Sequence, residues 1–109
     1  MNPHEMFAKQ VTRYFASHGY DVETEVPLPD GKGALDVLAR STRAAVDRLF
    51  ACEVKSSPAS PNCGRVGKQM GRYMAAFGNA RYLLVSPRGN ELFVHDVESG
   101  DFGPLRGLL

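Results

Sequence analysis

Residues 49–57, LFACEVKSS, decide how this sequence folds and what it can do. Apolar residues dominate the start of the stretch, as in a buried β-strand, yet Glu53 and Lys55 follow with only Val54 between them. Side chains two apart on a strand point to the same face, so these two charges share one face while Cys52 and Val54 share the other. Either that face is solvated, or the fold needs both charges in one place.

Helical and strand-like segments follow one another on both sides of this stretch. Apolar residues recur at helical spacing in two segments, and five other segments have the period or composition of strands. We predict helices at 4–18, closed by Gly19, and from Val66 to Phe77, with strands at 20–26, 34–39, 49–55, 81–86 and 91–97. The order α-β-β-β-α-β-β predicts an α/β fold, a mixed sheet flanked by helices. The tail from Glu98 is expected to be irregular.

The bulk composition is that of an ordinary globular domain, and residues 1–109 are predicted to form a single one. The net charge is only +1, so a nucleic-acid partner would have to be met by local basic patches. Cys52 and Cys63 are too few for a disulfide framework or a four-cysteine zinc site. We find no signal peptide and no apolar run of membrane-spanning length, which predicts a cytoplasmic protein without membrane contact.

A third charge lies in the preceding apolar run. Asp36 is the single charged residue of ALDVLA, residues 34–39. If it lies beside Glu53 on a neighbouring strand, two carboxylates and the Lys55 ammonium converge. Paired carboxylates repel each other unless a cation separates them, and Mg²⁺ is commonly held by one or two carboxylates with water and phosphate oxygens. Such a centre suits phosphodiester hydrolysis.

These residues resemble the motif of the PD-(D/E)xK nucleases, the superfamily of restriction endonucleases and Holliday junction resolvases. The matching positions are Asp36, Glu53 and Lys55, followed on the second helix by Gln69 and Tyr73 in the Gln-x-x-x-Tyr pattern of RecB-like exonucleases. The resemblance spans residues 5 to about 86. It implies a restriction endonuclease-like fold and a Mg²⁺- or Mn²⁺-dependent DNA nuclease.

The resemblance also implies roles for individual residues. The carboxylates of Asp36 and Glu53 and the carbonyl of Val54 would bind the metal, and Lys55 would assist the attacking water. The remaining catalytic candidates would support the site from the two helices: Gln69, Tyr73 and Glu5, the only carboxylate on the first helix.

Two features of the sequence have simpler interpretations. The literal "PD" at Pro29 and Asp30 lies in the turn sequence PDGKG, and a turn would not hold a carboxylate rigidly, so we assign Asp36 instead. Tyr73 also continues an apolar helical stripe, so packing alone could explain it. The three histidines show no ligand spacing and are expected to be surface or capping residues: His4, His18 and His95.

Basic residues beside the site would contact the DNA backbone without reading its sequence. Arg65, Lys68 and Arg72 recur at helical spacing beside Gln69, and Arg40 and Arg43 could extend that surface. Because the domain is small, cutting both strands would require a homodimer or a partner chain, and we expect a homodimer. Two alternatives remain open: an inactive nucleic-acid-binding or assembly module with the same fold, and a structural domain whose strand charges are solvated.

Overall fold

The chain forms a six-stranded mixed sheet with one helix on each face. The computed structural model describes residues 1–41, 48–60 and 64–109. Its elements are α1 (Pro3–Ser17), β1 (Asp21–Pro27), β2 (Ala34–Ser41), β3 (Arg48–Val54), α2 (Gly64–Phe77), β4 (Arg81–Arg88), β5 (Glu91–Asp96), β6 (Phe102–Pro104) and a 3₁₀ turn (Leu105–Gly107). The strands lie side by side in chain order. The predicted α/β class is confirmed.

A single parallel pair determines how the helices are placed. β3 and β4 run parallel, whereas every other neighbouring pair is antiparallel. A parallel connection must cross over the sheet, and α2 provides that crossing. Residues 82–86 of β4 are buried, as expected for a strand covered on both faces. Among the described residues, no helix combines the length and apolarity needed to cross a membrane.

Each helix covers its own apolar cluster. The helix α1 buries Val11 and Phe15 on one face of the sheet, and the Phe15 ring centroid lies 5.2 Å from that of Phe50. On the opposite face, α2 buries three side chains against β3 and β4: Val66, Met70 and Tyr73. Cys52 and Val54 belong to the α1 cluster. Glu53 and Lys55, which alternate with them, therefore lie on the α2 face.

The tail beyond Glu98 is not irregular, contrary to the prediction. Phe102–Pro104 pairs with β5, and Leu105 is buried in the α1 cluster. The Asp96 carboxylate accepts hydrogen bonds from the backbone N–H groups of Glu98 and Ser99, each at 3.0 Å, and so holds the turn that returns the chain. A three-residue strand is too short to show a period in the sequence, which is why it was missed.

The first strand does not keep a regular alternation between the two faces of the sheet, although Val22 and Val26 have the spacing of residues on one face. Val22 packs against the α1 cluster, but Val26, which should point the same way, packs against the α2 cluster. Both β1 and β2 change face at one level, where Glu25 adopts a left-handed φ of 50° opposite Asp36. We call this level, Glu25 with Asp36, the ladder break. Because the strands change face at this level, the Asp36 side chain does not follow the regular alternation of side chains along β2.

Candidate active site

The end of β3 brings Glu53 and Lys55 beneath α2. Glu53 is 5% exposed, and its Oε1 lies 3.4 Å from the Lys55 ammonium. The same ammonium donates a hydrogen bond of 3.1 Å to Oε1 of Gln69. Both charges therefore face a helix and not open solvent, which argues against the interpretation of a solvated strand pair.

Asp36 joins this pair through the ladder break. The regular pairing of β2 with β3 stops at Val37 opposite Cys52. One residue further, the Asp36 Oδ2 accepts a 2.7 Å hydrogen bond from the backbone N–H of Val54. On the other side of β3, the N–H of Lys55 bonds to β4, so the N–H and carbonyl of Val54 are directed toward β2. The Val54 carbonyl thus lies on the edge of β3 that faces Asp36.

The two carboxyl groups are close enough to perturb each other. Burial, and then the negative charge of Asp36, raise the pKa of Glu53 from its ordinary value of 4.5 to about 7, although Tyr73 and Lys55 oppose the shift. At neutral pH, close to this pKa, Glu53 is therefore partly protonated, and a cation beside the two carboxyl groups would favour its ionised form.

Gln69 and Tyr73 lie one turn apart on α2 and hold the two β3 side chains. The Tyr73 hydroxyl donates a 2.5 Å hydrogen bond to Oε2 of Glu53 and lies 3.3 Å from the carbonyl of Ala34. Burial and the contact with Glu53 raise the pKa of Tyr73, which keeps the hydroxyl protonated and able to donate. Gln69 and Tyr73, four residues apart on the helix, therefore each contact one of two side chains that lie two residues apart on the strand, Lys55 and Glu53.

Replacing Tyr73 with phenylalanine should leave a buried carboxylate without its nearest donor. We expect Tyr73→Phe to lower the free energy of unfolding by about 1–3 kcal/mol at pH 8, as for other buried acceptors that lose a partner. Urea denaturation measures the change. Tyr20→Phe is the matched control, because the Tyr20 hydroxyl has no hydrogen-bond partner among the described residues. Equal effects of the two substitutions would contradict the role of Tyr73.

The first turn of α1 approaches Asp36 from the opposite face of the sheet. Nε2 of His4 lies 3.1 Å from Oδ1 of Asp36, so this histidine, whose side chain is 45% exposed as a surface residue, also contacts the site, which was not predicted. Glu5 lines the same cleft of about 260 Å³, and its Oε1 accepts a 3.0 Å hydrogen bond from Asn2. The sequence could not reveal the His4 contact, because it depends on how α1 is rotated against the sheet.

The predicted DNA-contacting residues do not form one uniform surface. Arg65 and Lys68 are exposed on α2, and Arg40 is exposed on β2. Arg72 is held by the turn between β1 and β2, where its Nη2 lies 3.1 Å from Oδ2 of Asp30 and also donates to the carbonyl of Lys32. Arg43 lies outside the described residues. The Asp30 carboxylate therefore anchors α2 and lies in an exposed turn, away from the site.

The oxygen atoms of this site meet the requirements of a divalent cation. Within the described residues, no group of three or more His, Cys, Asp or Glu side chains could hold a metal ion. Mg²⁺ does not need such a cage, since one or two carboxylates with water and phosphate oxygens suffice. The Asp36 and Glu53 carboxylates and the Val54 carbonyl all offer oxygen atoms, and a cation would offset both causes of the raised pKa of Glu53, which are its burial and the negative charge of Asp36. The residues present therefore fit Mg²⁺ or Mn²⁺.

Comparison of this chain with protein-family models, with curated proteins and with solved structures gave no match.

Proposed function

We propose that this chain is a Mg²⁺- or Mn²⁺-dependent deoxyribonuclease with a restriction endonuclease-like fold. The observation that carries the proposal is the convergence of three charged groups: the Asp36 carboxylate is held at the ladder break by the Val54 N–H, the neighbouring residue Glu53 is buried, and the Lys55 ammonium lies 3.4 Å from Glu53. A buried carboxyl group with a raised pKa beside a second carboxylate and a cationic side chain, as at Glu53, is typical of functional sites.

Each residue of the site has a definite chemical part in this proposal. Asp36, Glu53 and the Val54 carbonyl would hold the cation, which supplies a more acidic water and neutralises charge on the phosphate. Lys55 is 30% exposed at its side chain and reaches the rim of the site. There it can orient the attacking water or stabilise charge on the phosphate oxygens. Gln69 fixes the Lys55 ammonium, and Tyr73 fixes the Glu53 carboxylate.

The size of the domain and the Gln-x-x-x-Tyr pattern bear on which DNA structure is cut. A domain of 109 residues has a single carboxyl pair of this kind in its described part, so cutting two strands as a Holliday junction resolvase does would need a homodimer. The Gln-x-x-x-Tyr pattern, in contrast, favours processing of DNA ends. Incubation with Mn²⁺ and a panel of duplex, overhang, flap and junction DNA separates these versions, with Glu53→Ala as the inactive control.

A second candidate function is a nucleic-acid-binding module that retains the site without cutting. It is favoured by the partners that both carboxylates already have: His4 and the Val54 N–H on Asp36, and Lys55 and Tyr73 on Glu53. A buried polar network in which each carboxylate already has such partners can stabilise a fold without any metal. Under this alternative, DNA would bind but no member of the panel would be cut.

Metal binding is tested by thermal melting. We expect Mg²⁺ or Mn²⁺ at one hundred times its dissociation constant to raise the free energy of unfolding by about 2.7 kcal/mol over the value in EDTA, because the ion binds only the native state. Asp36→Asn should abolish this response. Asp21→Asn, which changes an exposed aspartate on β1, should retain it. An unchanged melting temperature of the wild-type protein in both ions would refute the metal-dependent function.

A further inference from the structure

Three aromatic rings form a partly exposed surface at the far end of the sheet. His95 and Phe93 lie on β5, and Phe102 lies on β6. The Phe102 ring is stacked on both, with centroid distances of 4.2 Å to His95 and 5.2 Å to Phe93 and interplanar angles of 27°. Phe102 is 47% exposed. We call these three residues the aromatic platform.

The platform lies on the same face of the sheet as the candidate active site. Glu53 pairs in register with Leu84, Leu84 with His95, and His95 with Phe102, so all four occupy one row across the sheet. Paired residues of neighbouring strands point to the same face and lie about 4.8 Å apart. His95 is therefore about 10 Å and Phe102 about 14 Å from Glu53, which is a span of a few nucleotides.

Arg88 places one positive charge against the aromatic rings of the platform. The Arg88 guanidinium carbon lies 4.9 Å from the centroid of the Phe102 ring. Burial and the nearby Arg88 charge lower the pKa of His95, which favours a neutral imidazole at physiological pH. Its Nδ1 is buried and has no hydrogen-bond partner among the described residues, and its ring supports that of Phe102 by stacking.

We propose that the aromatic platform with Arg88 binds unpaired bases of single-stranded DNA and leads that strand toward the carboxyl pair; this proposal rests on the proposed nuclease function and specifies its substrate. Aromatic rings beside a cation are the usual means of holding single strands, because every base has a π-face and every nucleotide a phosphate. A second copy of the chain fits this surface less well, because a two-fold contact centred on it would bring two Arg88 side chains together.

The proposal is tested by the affinity of the full chain for a fluorescein-labelled 20-nucleotide oligothymidylate in EDTA, measured by fluorescence anisotropy. Phe102→Ala is expected to weaken binding about 5- to 100-fold, the loss found for other stacked bases. Phe102→Leu, which keeps an apolar side chain without a π-face, should weaken it similarly, and Phe102→Trp should retain it. Arg88→Ala should reduce the slope of log K against log salt by about 0.7, the value for one phosphate contact on a single strand.

Met74→Ala provides the matched control, because Met74 on α2 is also an exposed apolar residue, at 38%. Its affinity should equal that of the wild-type protein. Wild-type affinity of Phe102→Ala, with an unchanged circular dichroism spectrum, would overturn the proposal. The proposal would also be overturned if light scattering showed a dimer for the wild-type protein and a monomer for Phe102→Ala, while both bound DNA equally well. That result would assign the surface to a protein partner. Since no metal is present, these results do not depend on whether the site cuts DNA.

Discussion

Replacing Lys55 with methionine is expected to lower the rate of Mn²⁺-dependent DNA cleavage by about 10²- to 10⁴-fold, the usual contribution of a positioned proton-transfer or charge-stabilising group. Methionine keeps most of the aliphatic stem that packs beneath α2, so the loss reports on the ammonium and not on packing. The ammonium lies 3.1 Å from Gln69 and 3.4 Å from Glu53 and cannot itself bind a cation. The melting response to Mn²⁺ should therefore survive the substitution.

Single-turnover cleavage with protein in excess measures the chemical step directly. Lys32→Met is the control, since Lys32 is an exposed lysine of the turn between β1 and β2. Cleavage by Lys55→Met at a rate within threefold of the wild type would show that Lys55 has no part in the chemistry. Loss of the Mn²⁺ response in the same variant would instead indicate that Lys55 shapes the cation site.

Replacing Glu53 with glutamine is expected to stabilise the metal-free protein at high pH. The folded protein holds a proton on Glu53 up to a pKa of about 7, whereas the unfolded chain releases it near 4.5. The native state binds more protons between these values, so the free energy of unfolding falls as pH rises through this window, by about 3 kcal/mol in total. Glutamine does not titrate and still accepts the Tyr73 hydrogen bond. The stability difference between Glu53→Gln and the wild type should therefore grow from about zero near pH 4.5 to about 3 kcal/mol above pH 7.

Urea denaturation in EDTA at a series of pH values measures this difference. Added Mg²⁺ should raise the stability of the wild-type protein but not of Glu53→Gln, so the order of the two can reverse when metal is present. Glu23→Gln, at an exposed position on β1, controls for the loss of one carboxylate. A Glu53→Gln protein less stable than the wild type at pH 8 in EDTA would contradict the raised pKa.

The part of the site that follows from local periodicity could be predicted from the sequence. Glu53 and Lys55 share a face because strand side chains alternate, and Gln69 and Tyr73 share a helix face because they are four residues apart. The order of helices and strands likewise gave the α/β class. These relations hold within one element and need no knowledge of how the elements pack.

The parts that depend on packing between elements could not be predicted. The approach of His4 to Asp36 depends on the rotation of α1 against the sheet. The pairing of Phe102 with His95 depends on a turn whose hydrogen bonds centre on Asp96. The ion pair between Arg72 and Asp30 joins residues 42 positions apart, so helical spacing alone placed Arg72 among the DNA-contacting residues.

The ladder break also limits how this site could be rebuilt elsewhere. In an uninterrupted antiparallel pair, the backbone of β2 would occupy the Val54 N–H, and the Asp36 side chain would belong wholly to one face of the sheet. Here the carboxylate takes the place of a backbone acceptor and is reached by His4 from one layer while it neighbours Glu53 in the other. Grafting the polar side chains of the motif onto a regular scaffold would therefore reproduce the motif without its geometry. A designer would have to transplant the left-handed Glu25 as well, since the irregular backbone is itself a component of the site.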